Sequence, residues 1–266
     1  MQRLRRLLRR SSARATERAF VAEGIKVVVA ALDAGITIES LYVAAEGRDA
    51  PAVVAVVDRA LGAGARVFDL GPGIMERVAD TVTPQPLCAV IGELDIPIDE
   101  LVAQPAGTTD ASPSGRLLLV CVDVRDPGNL GAVIRSAAGA GADGVICCAG
   151  TADPFNPKTV RATAGAIFGL PIALSTSPRE AFARIAEAGF RLVATTAHEG
   201  TDYAVAELSG DLALVLGNEA SGLPADVLGS LGEWVTIPMA PGTESLNVAM
   251  TATVLCYEIS RRRRLS

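Results

Sequence analysis

Three short stretches in the second half of the chain place glycines beside small polar side chains. They are Asp126-Pro127-Gly128-Asn129-Leu130-Gly131, Asn218-Glu219-Ala220-Ser221-Gly222-Leu223 and, after a Gly/Pro loop, Ser245-Leu246-Asn247. Each follows an apolar run: RLLLVCVDV, DLALVLG and WVTIPM respectively. Such residues free backbone groups to contact a ligand. One stretch alone reads as an ordinary strand-to-helix turn with a capping Asp, Asn or Ser. Three in one region point to a binding site. Shortly after the first stands Arg135, within AVIRSAAGA. It reads either as a surface salt bridge or as a guanidinium that, being costly to place in such a run, faces a functional cleft. The chain holds one histidine, His198, and five cysteines, with no C-x-x-C pair. A metal site and Ser-His-Asp catalysis are therefore poorly supported, and the cysteines read as reduced, buried thiols.

The elements that must position these residues alternate along the chain. RLLLVCVDV, DGVICCA, FRLVATT and DLALVLG are nearly continuous apolar runs, as expected of strands buried on both faces of a parallel sheet. NLGAVIRSAAGAGA, KTVRATAGAIF and REAFARIAEAG read as helices between them, and a final helix begins near Ser245 and runs to the terminal arginines. In an open parallel sheet, ligands bind beyond the carboxyl ends of the strands, where the three stretches fall. A Rossmann site needs G-x-G-x-x-G after the first strand; here the turn is D-P-G-N-L-G, and there is no G-x-x-x-x-G-K.

The first hundred residues alternate similarly. KVVVAALDAG predicts a helix closed by Gly35, IESLYVAA a strand, APAVVAVVDRALGAG a helix, ARVFDLG a strand, PGIMERVADT a helix and PLCAVIGEL a strand. A Pro/Gly/Ser/Thr-rich stretch at 105–115 reads as a linker. The expected organisation is a small α/β domain over 1–104, the linker, and a parallel-sheet α/β domain over 116–266.

Of the 266 residues, 50% are hydrophobic and 20% charged, enough for substantial cores. The apolar runs are too short and interrupted to span a membrane, and no uncharged signal core follows the N-terminal arginines, so a cytoplasmic protein is expected. A net charge of −6 argues against coating nucleic acid by charge alone. The positive charge is nevertheless uneven: Arg3, Arg5, Arg6, Arg9, Arg10, Arg14 and Arg18 crowd one end and Arg261 to Arg264 the other. These read either as solubilising ends or as an RNA footprint.

Taken in order, the motifs resemble those of the SpoU/TrmH family of RNA 2′-O-ribose methyltransferases. Asp123 through Ala137 is similar to the family's first motif and Leu216-Gly217-Asn218-Glu219 through Leu223 to its second. Ile237-Pro238-Met239 followed by Glu244-Ser245-Leu246-Asn247-Val248 is similar to its third. Pro157 through Ala166 resembles the stretch between motifs one and two, and Phe20-Val21-Ala22-Glu23-Gly24 the F-x-x-E-G signature of a substrate-binding domain similar to a ribosomal RNA-binding protein. That domain suits the rRNA-modifying branch, which includes thiostrepton-resistance methyltransferases. Pro241 departs from the pattern, standing where the family usually has Gly.

The resemblance implies a parallel sheet threaded into a deep trefoil (SPOUT) knot, with S-adenosylmethionine bent against it. It implies cofactor contacts at Thr195, Thr196, Ala197, Leu216, Gly217, Asn218, Gly222, Ile237, Met239, Ser245, Leu246 and Asn247. Arg135 would bind an RNA phosphate bidentately and ease loss of the 2′-proton; its pKa makes it a poor base by itself. Asn129, Glu219, Ser245 and Asn247 would complete the polar shell around the reacting groups. Lys158 and Arg161, three apart on a predicted helix, and Arg9 and Arg10 are the expected RNA contacts. A homodimer is implied, built on the knot region and the last helix. A tRNA methyltransferase and a non-catalytic RNA-binding protein of the same fold are the alternatives.

Overall fold

The computed structural model describes residues 1–78, 84–104, 115–218 and 221–265. Apart from Gly115, the expected linker lies outside the described residues, as does Glu219. Contacts divide the chain into two compact units. One comprises residues 1–94 with 153–169, the other 95–152 with 170–266.

The first unit opens with two helices, α1 (Gln2–Arg9) and α2 (Ser11–Glu17). Helix α1 interleaves arginines with Leu4, Leu7 and Leu8, which are buried against the sheet. It is therefore an amphipathic covering helix. Arg14 is only 3% exposed; it donates to the Leu7 carbonyl at 2.7 Å and pairs with Asp153 at 2.6 Å. Arg3 bridges Glu17 and Glu39, and Arg6 joins it on Glu17.

Then follow β1 (Ala19–Glu23), α3 (Ile25–Asp33), β2 (Ile38–Ala44), α4 (Pro51–Gly62), β3 (Arg66–Leu70), α5 (Ile74–Val78) and β4 (Leu87–Gly92). The four strands order as β1-β4-β2-β3; β4 runs antiparallel to both its neighbours, and β2 and β3 are parallel. F-V-A-E forms the wholly buried β1, a strand the alternation pattern did not single out. Gly35, at φ 69°, follows α3 in the left-handed conformation expected of a helix-closing glycine.

The second unit begins with β5 (Asp95–Ile96) and α6 (Ile98–Ala103). It continues through β6 (Leu117–Cys121), α7 (Pro127–Ala140) and β7 (Gly144–Cys148). Here the chain contributes α8 (Pro157–Ala162) to the first unit. It returns as β8 (Ile172–Ser175), α9 (Pro178–Glu187), β9 (Arg191–Thr196), β10 (Thr201–Asp202), β11 (Leu212–Leu216), α10 (Ala225–Leu228), β12 (Glu233–Thr236) and α11 (Val248–Arg263). The sheet orders as β10-β12-β9-β11-β6-β7-β8-β5, with every pairing parallel. β6, β7 and β11 are buried at every position, as their unbroken apolar runs require.

Two helix expectations are corrected. KTVRATAGAIF does not form one helix. α8 stops at Ala162, Ala164 and Gly165 take positive φ of 52° and 97°, and a single 3-10 turn follows. A β-carbon on Gly165 would stand 2.4 Å from the Ala30 side chain, so the break packs the segment closely on α3. The last helix starts at Val248, not near Ser245, because Asn247 caps it: its side chain accepts from the Ala249 amide at 2.9 Å.

All five cysteines are free and buried. Burial pushes the thiols of Cys148 and Cys256 up to about 12, so neither supplies a thiolate nucleophile at neutral pH. No group of residues able to hold a metal ion occurs among the described residues, and no described helix is long and apolar enough to cross a membrane.

Candidate functional site

The three glycine-bearing stretches lie at the carboxyl ends of β6, β11 and β12, and hydrogen bonds tie them together. After β6 the chain turns through Asp123, a non-glycine residue at φ 58°. The Asp123 carbonyl accepts from Asn218 Nδ2 at 3.0 Å, which joins the first loop to the second. Asp126 caps α7 by accepting from the Asn129 amide at 2.9 Å, with Pro127 at the first helical position. Asn129 Oδ1 in turn accepts from Asn247 Nδ2 at 3.1 Å, joining the first loop to the third.

The second loop is pinned at its base. Asn218 and Gly222 exchange two backbone hydrogen bonds, at 3.0 and 2.9 Å, and Asn218 Oδ1 accepts from the Ser221 amide at 3.1 Å. Gly222 sits at φ 67°. A β-carbon on Gly217 would stand 2.8 Å from the carbonyl carbon of Gly222 and 3.0 Å from the Leu223 nitrogen. Only glycine lets these two backbone segments approach so closely.

Between the loops lies a cleft of about 410 Å³. Such a volume is in the range of about 300–1,000 Å³ that small-molecule sites occupy. Leu223, Trp234, Ile237, Leu246, Val248 and Leu255 give it apolar walls; Thr195, Thr196, Asn218, Ser221, Ser245 and Thr251 give polar ones. Thr195 is oriented by donating to the Val215 carbonyl at 3.2 Å.

Of the residues expected at a cofactor site, Thr195, Thr196, Ala197, Gly217, Asn218, Gly222, Ile237, Met239, Ser245 and Leu246 all line this cleft. Two do not. Leu216 is fully buried in β11, its carbonyl accepting from the Val122 amide at 2.9 Å. Asn247 is spent on capping α11 and on Asn129. His198, Trp234, Glu244, Thr251 and Leu255 line the cleft without having been singled out for it. A helical signal existed for two of them: Thr251 and Leu255 stand one and two turns beyond Asn247 on the face that points back to the loop.

Arg135 does not line the cleft of its own chain, contrary to the reading in which it faces one. It is exposed on α7 and makes no side-chain hydrogen bond or ion pair among the described residues. Helix α7 packs along α11, with Ser136 Oγ and Thr253 Oγ1 2.7 Å apart. Gly139 leaves room for Tyr257, whose hydroxyl oxygen would meet a β-carbon there at 2.7 Å. Met250 and Tyr257 are 59% and 45% exposed on α11.

The expected RNA contacts belong to the first unit and divide. Arg9 and Arg10 are exposed, and neither side chain has a partner among the described residues. Lys158 is exposed. Arg161, however, is not paired with Lys158 on a solvated face: it is bound to Glu23, whose side chain is 1% exposed. A buried carboxylate needs a cation, and this one commits Arg161 to the fold. At the other terminus, Arg261 and Arg262 hold Glu258; Arg262 also donates to the carbonyls of Tyr203, Ala204 and Ala206, and Arg263 to those of Arg116 and Gly210. These arginines fasten the last helix rather than form a free basic tail.

An all-parallel sheet with capped loops closing a cleft at its carboxyl edge defines an α/β domain with a ligand site at its strand ends. Comparison with known proteins gives the family. The SpoU rRNA Methylase family matches residues 116–257 and the MRM3-like substrate binding domain residues 1–89. The chain belongs to the SpoU rRNA methylase family. It is 31% identical over 240 residues to the 23S rRNA (guanosine(2553)-2′-O)-methyltransferase RlmP of Bacillus subtilis, spanning 90% of this chain and 88% of that protein. The AdoMet-bound rRNA methyltransferase from Sinorhizobium meliloti superposes with a TM-score of 0.83 at 30% identity, over 98% of this chain and 94% of the other. The SpoU methyltransferase AviRb from Streptomyces viridochromogenes, in complex with AdoMet, gives a TM-score of 0.80 at 26% identity, over 100% and 98%.

Proposed function

We propose that this protein transfers a methyl group from S-adenosylmethionine to a ribose 2′-hydroxyl of RNA, with ribosomal RNA as the substrate. One observation carries the reading: ten of the twelve positions expected to hold the cofactor line a single cleft of suitable size. The cleft suits that cofactor chemically, offering apolar walls for a purine and hydroxyl and amide groups for a ribose and an amino acid. Family membership and the rRNA-modifying relatives support the substrate.

When bound, S-adenosylmethionine supplies a methyl on a positively charged sulfur, open to displacement by a hydroxyl. The chain's own residues do the rest. Gly217 and Gly222 bring backbone groups to the cleft wall. Asn129 and Asn247, bonded to each other, hold the first and third loops in register beside Ser245. Arg135, exposed and without a partner among the described residues, binds an RNA phosphate through its fork. Its charge lowers the cost of losing the 2′-proton.

The first unit acts as the RNA-binding part, with Arg9, Arg10 and Lys158 as phosphate contacts. The knot implied by the motifs is consistent with the sheet order, in which β9 lies between β11 and β12 and the connection between those strands must pass it. The protein acts as a homodimer. Met250 and Tyr257, exposed apolar side chains two turns apart beside Arg135's helix, support an interface there.

The test incubates purified protein and its Arg135→Ala variant with labelled cofactor and separate pools of unmodified rRNA and tRNA, followed by nucleoside analysis. Label on the 2′-oxygen of rRNA, lost in the variant, is the expected result. Label only in tRNA overturns the substrate, and no transfer with no cofactor binding overturns the enzyme.

A further inference from the structure

Among the described residues, the cleft wall carries one carboxylate, Glu244. Glu244 and His198 are the only ionisable side chains among the described residues that line it, and no lysine or arginine is among them. Glu244 lies in the loop between β12 and α11, immediately before Ser245, and is exposed. It makes no hydrogen bond or ion pair with any described residue, so no capping or bridging role accounts for it.

We propose that Glu244 is a charge-selective ligand contact that makes this cleft prefer the sulfonium cofactor to its demethylated product. The proposal rests on the function above. In the reaction the methyl moves from sulfur to the ribose oxygen, and the carbon–sulfur electron pair remains on sulfur. The hydroxyl proton leaves to solvent. The sulfur thereby passes from a cation to a neutral thioether, while the ammonium and carboxylate of the amino acid stay unchanged. Cofactor and product thus differ by one positive charge, and it is through that charge that a carboxylate on the wall distinguishes them. An exposed carboxylate in water-facing surroundings exerts a modest, salt-screened attraction. Its consequence is easier product release without a change in shape complementarity.

Calorimetric titration at mildly alkaline pH tests this, with S-adenosylmethionine and S-adenosylhomocysteine titrated separately into wild type and Glu244→Gln. The substitution is expected to weaken cofactor binding about three- to five-fold and leave product binding unchanged. Raising the salt concentration is expected to erode the wild-type preference and to leave the variant's ratio flat; should the variant fail to fold, this wild-type salt dependence carries the test. Equal weakening of both ligands, or of neither, or a wild-type ratio indifferent to salt overturns the proposal. Binding of neither ligand by the wild type overturns the cofactor reading itself, a result distinct from the others.

Discussion

In the proposed function, Arg135 and Gly217 carry different parts of the site. Gly217 is set by contact: the Gly222 and Leu223 backbone fills the space where a side chain would go. Gly217→Ala is therefore expected to push the second loop outward and weaken S-adenosylmethionine binding about ten-fold or more, measured by calorimetry. Arg135 touches no part of its own cleft and is held by nothing described around it. Its replacement by alanine should leave cofactor affinity and melting temperature within error while lowering methyl transfer by about 100-fold or more. Loss of cofactor affinity in that variant would instead give Arg135 a structural role. Arg135→Lys keeps the charge but not the two-pronged fork and is expected to recover only part of the rate.

At the scale of elements, two ion pairs hold segments that the motifs alone assign to function. The Glu23 side chain, at the end of β1, is buried with Arg161 of α8 as its cation. Arg161→Ala removes the cation paired with that buried carboxylate and should cost about 3 kcal/mol or more, read as a lowered denaturant midpoint. A midpoint unchanged by the substitution would return Arg161 to the RNA-binding surface. On α11, Arg261 and Arg262 hold the Glu258 carboxyl at about 2, below its ordinary 4.5. A depressed carboxylate stabilises the fold above the ordinary value and loses that contribution as pH falls from 4.5 toward 2. Wild type should therefore lose more stability on acidification through that window than Glu258→Gln, as urea titrations at several pH values would record.

For the molecule as a whole, charge distribution matters more than net charge. The chain is acidic, yet Arg9 and Arg10 stand exposed at the junction of α1 and α2. If they meet RNA phosphates, the double alanine variant should bind rRNA fragments more weakly at every sequence and show a shallower salt dependence, by about 0.7 per lost contact on single-stranded RNA. An unchanged slope would assign them to solubility alone. The proposed homodimer is tested at Met250, which is exposed beside Tyr257 on α11: if that face is the interface, Met250→Glu is expected to shift the particle to monomer in light scattering and to reduce transfer.

Much of this protein was legible before any fold was available. Unbroken apolar runs marked β6, β7 and β11 because strands covered on both faces have no polar side to show; β9 was marked the same way although only its middle is buried. The glycine and capping residues after them marked the cleft because strand ends in a parallel sheet are where backbone groups stay free. The order of the three motifs carried the family. What sequence could not supply was assignment of charge and of segment. Arg135 and Arg161 look alike in one dimension, but one lies exposed while the other neutralises a buried carboxylate 138 positions away. The stretch 153–169, flanked by catalytic-family motifs, packs with the N-terminal unit because Arg14, Glu23 and Ala30 there provide its partners. Part of the terminal arginine charge became structural because Arg3 finds Glu39 and Arg262 and Arg263 find carbonyls that are distant along the chain. Periodicity and propensity are local and can be read residue by residue. Pairing of charges and closeness of backbones depend on which distant segments meet, and only the tertiary structure decides that.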